Sequence, residues 1–171
     1  ESYTVCPNTQ GQIESAAPWN SATSISSTDY FNNCSTNNFN VPYCLSGFQH
    51  PHSGNAFAGL GFSFIGGQRE YLQVQLISPL VLNKTYYVEF YVNLHNVISW
   101  TYPCNNIAAN FSIARPFTIN TYDLQSLTPH IITIGNPILS DTMNWTKVSG
   151  CYVAQGGEEY ITIGNFFDNI N

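Results

Sequence analysis

Two stretches near the middle of the chain alternate apolar and polar residues so regularly that they leave little choice of secondary structure. In Arg69–Ser78, leucine and valine recur at every second position, with tyrosine and glutamine between them. Thr85–Leu94 repeats the pattern, with Val88, Phe90 and Val92 on one side. A period of two places successive side chains on opposite faces of a strand and indicates that one face lies in a core. We therefore expect an all-β chain.

Further strand-like runs recur along the rest of the chain. They are Ala56–Ile65, Ile107–Ile113, Ile131–Ile134, Trp145–Ala154 and Tyr160–Asn165. The pair Gly156-Gly157 predicts a hairpin turn between the last two runs, since glycine accepts the positive φ that such turns need. No segment shows the 3.6-residue period of a helix. The pattern predicts an antiparallel β-sandwich, in the form of a jelly roll, built as one domain over residues 1–171.

Both ends of the chain depart from this regular pattern. Residues 1–55 are rich in Pro, Gly, Asn and Ser and show no periodicity. So long an irregular stretch predicts loops held in place by disulfides. No strand pattern follows Asn165, although a jelly roll pairs its first and last strands. Because an unpaired sheet edge is a template for another strand, we expect the chain to be a segment of a longer secreted protein or to be completed by a partner.

Five cysteines are spread along the chain without a C-x-x-C pair, which is poor spacing for zinc or a redox centre. Four of them lie in polar, loop-like surroundings, which favours disulfides formed in an oxidising compartment. We expect Cys6 to pair with Cys34 and Cys44 with Cys104, although the sequence alone does not fix the connectivity. Cys151 lies within a strand-like run and is expected to be a buried thiol.

The charge of the chain excludes several kinds of partner. Only 8% of the residues are charged and the formal net charge is −6, against about 25% charged residues in an average domain. The four basic residues, Arg69, Lys84, Arg115 and Lys147, are isolated from one another. Nucleic acids and anionic membrane surfaces need clustered cations, so neither is an expected partner. No apolar run reaches the length of a membrane span, about 18 residues, so direct membrane insertion is not expected.

Several segments resemble a known family. They are Pro51–Gly59, Arg69–Val74, Tyr87–Val92 and Glu158–Phe166, together with the opening Glu-x-Tyr-x-x-Cys-Pro. In the same order, along nearly the whole chain, they resemble an uncharacterised domain of secreted and cell-surface proteins of Bacteroidota. That domain often stands ahead of an OmpA-like domain or a type IX secretion sorting domain. The resemblance implies an extracellular or outer cell-surface location.

In layout, the domain that the chain resembles is similar to jelly-roll carbohydrate-binding modules of the galactose-binding-like type. In such modules an early acidic residue and a late aspartate often hold a structural calcium. Glu1, Ser53 and Asp168 are the candidate calcium ligands here, and calcium is the one cofactor that the resemblance implies. Asp141-Thr142-Met143 matches the pattern that Bacteroidota exporters O-glycosylate, which makes Thr142 a candidate modification site.

Aromatic and polar side chains in the loops are candidates for binding a glycan, because sugar rings stack on aromatic faces and sugar hydroxyls hydrogen-bond to amides. The candidates are Trp19, Tyr30, His52, Trp100, Tyr102 and Asn105. The alternating stretches add Tyr71, Gln73, Tyr87 and Tyr91, which are expected on the polar faces of two neighbouring strands.

No catalytic constellation is apparent in the sequence. There is no Gly-x-Ser-x-Gly elbow and no evident pair of carboxylates flanking a cleft. His50 and His52 lack a third metal ligand and are expected to make loop hydrogen bonds. We therefore expect a binding module and not an enzyme. It is either a carbohydrate-binding or adhesion module that recognises a polysaccharide or glycan, or a structural module that docks another envelope or secretion protein without a small ligand.

Overall fold

The computed structural model describes residues 2–25, 27–62, 69–97, 103–119, 124–132 and 138–167. Within these ranges the chain forms eleven short strands and a single 3-10 turn, and the strand ladders are antiparallel. The predicted all-β class and antiparallel pairing are thereby confirmed. None of the described segments is a helix of the length and apolar character that would cross a bilayer.

The strands are short at the beginning of the chain and longest in its second half. In chain order, the 3-10 turn is Ile13–Ser15 and the strands are β1 (Asn20–Ser21), β2 (Asp29–Asn32), β3 (Tyr43–Cys44), β4 (Gly47–Phe48), β5 (Ala56–Gly59), β6 (Leu72–Gln75), β7 (Thr85–Val92), β8 (Ala108–Ser112), β9 (Ile131–Ile132), β10 (Thr146–Val153) and β11 (Tyr160–Gly164).

The strands form one larger sheet and three pairs. The five-stranded sheet has the order β1-β6-β11-β8-β9. Strands β7 and β10 form a separate two-stranded ribbon, paired over eight residues from Thr146 opposite Val92 to Val153 opposite Thr85. The other pairs are β2–β5 and the hairpin β3–β4. The stretches that contain β6 and β7 were expected to be neighbours, but they lie in different sheets.

The apolar face of the five-stranded sheet packs against the inner face of the ribbon. Phe111 from β8 and Tyr152 from β10 stack with ring centroids 4.7 Å apart. Val148 is 1% exposed, and Ile161 of β11 packs against the same cluster. Burial of each such side chain contributes about 1.5–3 kcal/mol. Two antiparallel layers with a shared apolar core are the arrangement of a β-sandwich.

The opposite face of the five-stranded sheet is polar yet buried. Gln73 of β6 is 1% exposed and Thr162 of β11 is 0% exposed. The Gln73 amide donates to the hydroxyl of Thr162 at 2.9 Å and to the carbonyl of Pro116 at 3.1 Å, and its oxygen accepts from Nε of Arg115 at 3.0 Å. The prediction that this strand exposes its polar face is therefore wrong, because the loop around Arg115 covers it.

The N-terminal segment is more ordered than its composition predicts. It supplies β1, an edge strand of the large sheet, and β2, which pairs with β5. Ile13, Ala16, Tyr30 and Ala56 form a buried cluster of their own in this region. The predicted Cys6–Cys34 disulfide is present. The segment is thus held to the sandwich by both strand pairing and a covalent link.

The Gly156-Gly157 pair does not make a hairpin. Both residues have the positive φ that the glycine pair predicts, 95° and 88°. The strands on either side belong to different layers, because β10 pairs with β7 whereas β11 pairs with β6 and β8. The turn therefore carries the chain from the ribbon to the five-stranded sheet, and the hairpin prediction is wrong.

The other three cysteines depart from the sequence expectations. Cys44 and Cys104 are free thiols, so the predicted disulfide between them is wrong. Cys44 pairs with Gly47 in the β3–β4 hairpin, whereas the backbone of Cys104 pairs with Leu139 beside the sandwich core. Burial raises the pKa of both thiols. Spacing along the chain does not reveal which loops meet, and the backbone pairings place the two cysteines in different parts of the fold.

Cys151 was expected to be a buried thiol but is exposed. It does lie in a strand, β10, as the pattern predicts. Its side chain shares the outward face of the ribbon with its cross-strand neighbour Tyr87, which is 59% exposed. The alternation of β10 therefore points Cys151 away from the core, on the face opposite Val148 and Tyr152.

Candidate functional site

The outward face of the ribbon is the surface with the most recognition chemistry among the described residues. The alternation that buries one side of β7 and β10 leaves the other side in solvent. That side carries Tyr87, Glu89, Tyr91, Lys147, Ser149 and Cys151. We call these six residues, with the adjoining His52, the ribbon face. It is a surface of aromatic rings, hydroxyls and one pair of opposite charges.

A stacked ring pair closes one end of the ribbon face. The imidazole of His52 lies parallel to the Tyr91 ring, with centroids 3.7 Å apart and 16° between the planes. The Trp145 ring meets His52 edge-on at 6.2 Å, and its Nε1 donates to the carbonyl of His50 at 2.8 Å. The loop that carries His52 is therefore held onto β7, and His52, predicted as a ligand contact from its loop, lies beside Tyr91.

Lys147 occupies the centre of the ribbon face. Its Nζ is 3.5 Å from the hydroxyl of Tyr87 and 3.9 Å from a carboxylate oxygen of Glu89. The hydrogen bond to Tyr87 raises the pKa of Lys147, with smaller contributions from the charges of Tyr87, Glu89 and Tyr91. The amine is thus a positively charged donor beside an exposed tyrosine ring, with an acceptor carboxylate next to it.

Several predicted site residues lie outside the described part of the chain. They are Trp100 and Tyr102 among the glycan candidates, and Glu1 and Asp168 among the calcium candidates. Ser53 is exposed and follows His52, and Asn105 is half-buried next to Cys104. Among the described residues, no group of three or more His, Cys, Asp or Glu side chains could hold a metal ion.

Trp19 and Tyr30 are brought together, but not on an open surface. Tyr30 is 1% exposed, and its hydroxyl accepts from the Asn32 amide at 2.5 Å. Trp19 is half-buried and packs on the same N-terminal cluster. Both rings line a cavity of about 150 Å³ with Ala58. The prediction of Tyr30 as an exposed sugar contact is therefore wrong, because β2 pairs with β5 and turns the ring inward.

Thr142 lies in a turn that Asp141 organises. A carboxylate oxygen of Asp141 accepts from the backbone N–H groups of Met143 and Asn144, each at 2.8 Å. The hydrogen bonds from Asn144 and Met143 lower the pKa of Asp141. Thr142 itself is half-buried within this turn. The turn connects the sandwich core to β10 and therefore has a structural role of its own.

Two carboxylates near the N-terminal segment resemble a catalytic pair, but both accept hydrogen bonds from backbone N–H groups. The pKa of Asp29 is raised to about 6, mainly by burial. The hydrogen bond from the N–H of Gly11 lowers this pKa, and the charge of Glu70 raises it. Glu70 is 8% exposed and accepts from the N–H groups of Ser27 and Gly61 at 3.1 and 2.7 Å. These carboxylates tie loops together, and their hydrogen bonds account for their burial.

Sequence reasoning identified part of the ribbon face and missed the rest. Tyr87 and Tyr91 were expected on the polar face of a strand, and His52 was a candidate from its loop. Lys147 and Trp145 were not selected, because nothing in the sequence shows that β10 lies beside β7. The one available signal was that Trp145–Ala154 has the same length and alternation as the stretch containing β7.

Comparison with known proteins adds no identification. No family model, no curated protein and no solved structure matches this chain. What the fold and the surface define is therefore a class: an antiparallel, sandwich-like all-β protein with one disulfide and an exposed aromatic strand face. The resemblance to a Bacteroidota surface domain stays a prediction from the sequence.

Proposed function

We propose that the chain is an extracellular carbohydrate-binding or adhesion module of a secreted or cell-surface protein, with the ribbon face as its glycan-binding surface. The observation that carries this proposal is the exposed ring of Tyr87, set on a strand pair beside Lys147 and Glu89. A sugar ring has apolar C–H faces and hydroxyls around its rim. An exposed aromatic plane with donors and acceptors at its edge complements both parts.

The ribbon face is long enough for more than one sugar. Tyr87 and Tyr91 point to the same side of β7 and lie four positions apart, which corresponds to about 13 Å along an extended strand. The stacked His52 ring covers one face of Tyr91 and closes that end. A ligand that reaches from Tyr87 to Tyr91 is therefore an oligosaccharide segment.

The charge of the ribbon face favours a neutral glycan. Lys147 and Glu89 are the two charged side chains on it, and they lie 3.9 Å apart. The chain as a whole has a formal net charge of −6, so a strongly anionic polysaccharide would be repelled at long range. Hydroxyl groups, in contrast, can accept from Lys147 and donate to Glu89.

The setting of the proposal is an oxidising, extracellular one. The Cys6–Cys34 disulfide supports it, because such bonds persist mainly in secreted and surface proteins. The sandwich-like layers support the finer proposal of a jelly roll of the galactose-binding-like type. The buried, fully hydrogen-bonded Glu70 supports a binding role over a catalytic one.

A glycan array followed by titration calorimetry tests the proposal. Tyr87→Ala removes the exposed ring and is expected to weaken binding about tenfold, since a well-placed aromatic contact is worth about 0.5–1.5 kcal/mol. Tyr3→Ala is the matched control, because Tyr3 is also exposed, at 49%, but lies near the N-terminus. Both variants are expected to melt like the wild type, since neither ring is buried.

The proposal fails if the array gives no reproducible glycan, or if Tyr3→Ala and Tyr87→Ala weaken binding equally. In the second case the glycan binds elsewhere on the chain. Where Tyr87→Ala weakens binding and Tyr3→Ala does not, His52→Ala, which uncovers the second face of Tyr91, tests whether the glycan also reaches that end of the ribbon face.

A second function is favoured by a separate observation. Two exposed apolar side chains lie at the end of the ribbon near Gly156: Leu82, which lies against Gly156, is 61% exposed, and Val153, the last residue of β10, is 56% exposed. Such residues suit contact with another protein chain, as a structural or assembly module of an envelope or secretion complex requires. Cross-linking in the native cells, compared between wild type and Leu82→Ser, separates this function from glycan binding.

A further inference from the structure

A small apolar cavity lies between the N-terminal segment and the edge of the five-stranded sheet. Its volume is about 150 Å³. Its wall combines Ile13 in the 3-10 turn, Ala16 directly after the turn, Trp19 before β1, Tyr30 in β2, Ala58 in β5 and Leu72 in β6. We call it the N-terminal cavity. These side chains offer mostly carbon surface, and the cavity is partly open to solvent.

Two alanines leave the cavity open. Ala16 is 1% exposed, and Ala58 stands opposite Tyr30 in the β2–β5 pair. Protein interiors are normally close-packed, and an unfilled space forfeits the dispersion contacts of its lining. A larger side chain at either position would occupy the space. The pairing of β2 with β5 and of β1 with β6 fixes the surrounding backbone, so the walls of the cavity are held in place by strand pairing.

We propose that the N-terminal cavity is a binding site for a single six-membered hydrocarbon ring, or an apolar group of that size. Water at this wall finds few hydrogen-bond partners, because the lining side chains are largely apolar, so an apolar group displaces it favourably. An apolar cavity of about 150 Å³ is large enough for benzene. The half-buried Trp19 ring stands at its wall and supplies an aromatic face for edge or offset stacking.

The cavity borders the ribbon face but does not depend on it. Phe57 lines the cavity, and its ring lies 5.9 Å from that of Trp145. Trp145 in turn meets His52 edge-on. The Phe57–Trp145 contact therefore lies between the apolar cavity and the polar ribbon face. A ligand in the cavity needs no sugar, so the two proposals stand or fall separately.

Methyl NMR of the full chain, titrated with benzene, tests the proposal. Saturable shifts are expected at Ile13, Ala16, Ala58 and Leu72, together with nuclear Overhauser effects between benzene protons and these methyl groups. Ala58→Leu fills the space and is expected to abolish both signals while preserving or raising the melting temperature. Ala114→Leu is the matched control, because Ala114 is exposed and lies outside the cavity, and it is expected to bind benzene like the wild type.

Three results would overturn the proposal. Benzene could give no saturable shifts in the wild type, it could contact only methyl groups of the sandwich core such as Val148, or its contacts could survive in Ala58→Leu. If Ala58→Leu does not fold, Ala16→Val is the replacement, since it fills the same space with two added carbons. Persistence of benzene binding in that folded variant would count equally against the cavity.

Discussion

Strands β6 and β7 have nearly the same sequence pattern and opposite surroundings. Each alternates apolar residues with tyrosine, glutamine or glutamate. On β7 the polar side is the exposed ribbon face, with Tyr87 59% exposed. On β6 the corresponding side is buried, with Tyr71 at 0% and Gln73 at 1%. An alternating pattern therefore shows that a strand has two faces, but it does not show which of them meets solvent.

The difference arises from what covers each strand. Strand β7 has one partner, β10, and on its outer side the His52 ring covers one face of Tyr91 while Tyr87 stays exposed. Strand β6 lies between β1 and β11. Its polar side is covered by the segment from Arg115 to Phe117 and by Leu124. The buried polar groups on this side have hydrogen-bond partners. The Tyr71 hydroxyl donates to the carbonyl of Asn165 at 2.9 Å and accepts from the N–H of Leu124 at 3.0 Å.

The largest change in stability is expected from adding one methyl group against the buried side of β6. A Cβ at Gly164 of β11 would overlap the ring of the fully buried Tyr71. We expect Gly164→Ala to lower the free energy of unfolding by about 3 kcal/mol, because neither ring nor backbone can move away. Urea denaturation measures the change.

The matched variant is Gly150→Ala on the ribbon. Its added Cβ would lie 3.2 Å from the end of the Ile131 side chain, which can shift. We expect a change of no more than about 1 kcal/mol. Equal effects of the two substitutions would show that the face of β6 near Tyr71 is no more crowded than the ribbon.

A pair of glutamines on the same side of β6 gives the next largest effect. Gln73→Ala removes a buried amide and leaves Thr162 and Arg115 without that partner. We expect a loss of about 2 kcal/mol of stability, the cost of unsatisfied buried polar groups. Gln75, two positions on, is exposed and hydrogen-bonds to Glu159, and Gln75→Ala is expected to change stability by less than about 0.5 kcal/mol. Similar urea midpoints for the two variants would contradict the buried polar face.

The smallest change in stability is expected from a group that ionises, the partly buried carboxyl of Asp29. Burial raises the pKa of Asp29 from 3.8 to about 6 in the folded chain. The folded state thus holds this proton more tightly than the unfolded state, so the contribution is fully present below about pH 4 and is lost as pH rises through about 6. Because the carboxyl is partly exposed, we expect the loss to be about 1 kcal/mol.

Comparing wild type with Asp29→Asn isolates this contribution. The asparagine cannot ionise, so the stability of the variant should lack the decline between about pH 4 and pH 7. Chemical denaturation at a series of pH values measures both proteins. Parallel profiles for the two proteins would show that Asp29 ionises as easily in the folded chain as in the unfolded one.

Only part of the candidate site could be predicted from the sequence, because contacts between distant strands are not visible in local patterns. The period of two gave Tyr87, Glu89 and Tyr91 a common side, which is a local property of one strand. That Lys147 lies beside them depends on the register of β10 against β7, a contact between residues about 60 positions apart in the chain. Tyr30 was predicted to be a loop residue that contacts a ligand. It lies in the core instead, because its strand pairs with β5 and places it opposite Ala58.

Local alternation in the sequence was enough to predict the all-β class and the positions of the longer strands. The surroundings of the cysteines favoured a Cys6–Cys34 pair, but they favoured Cys44–Cys104 equally, and contact in the folded chain settles both cases. Tertiary packing also sets β6 and β7 in different layers and makes the glycine pair at Gly156 the connection between those layers. Those outcomes depend on which distant segments come into contact. That choice is made by packing over the whole molecule and not by any single stretch of chain.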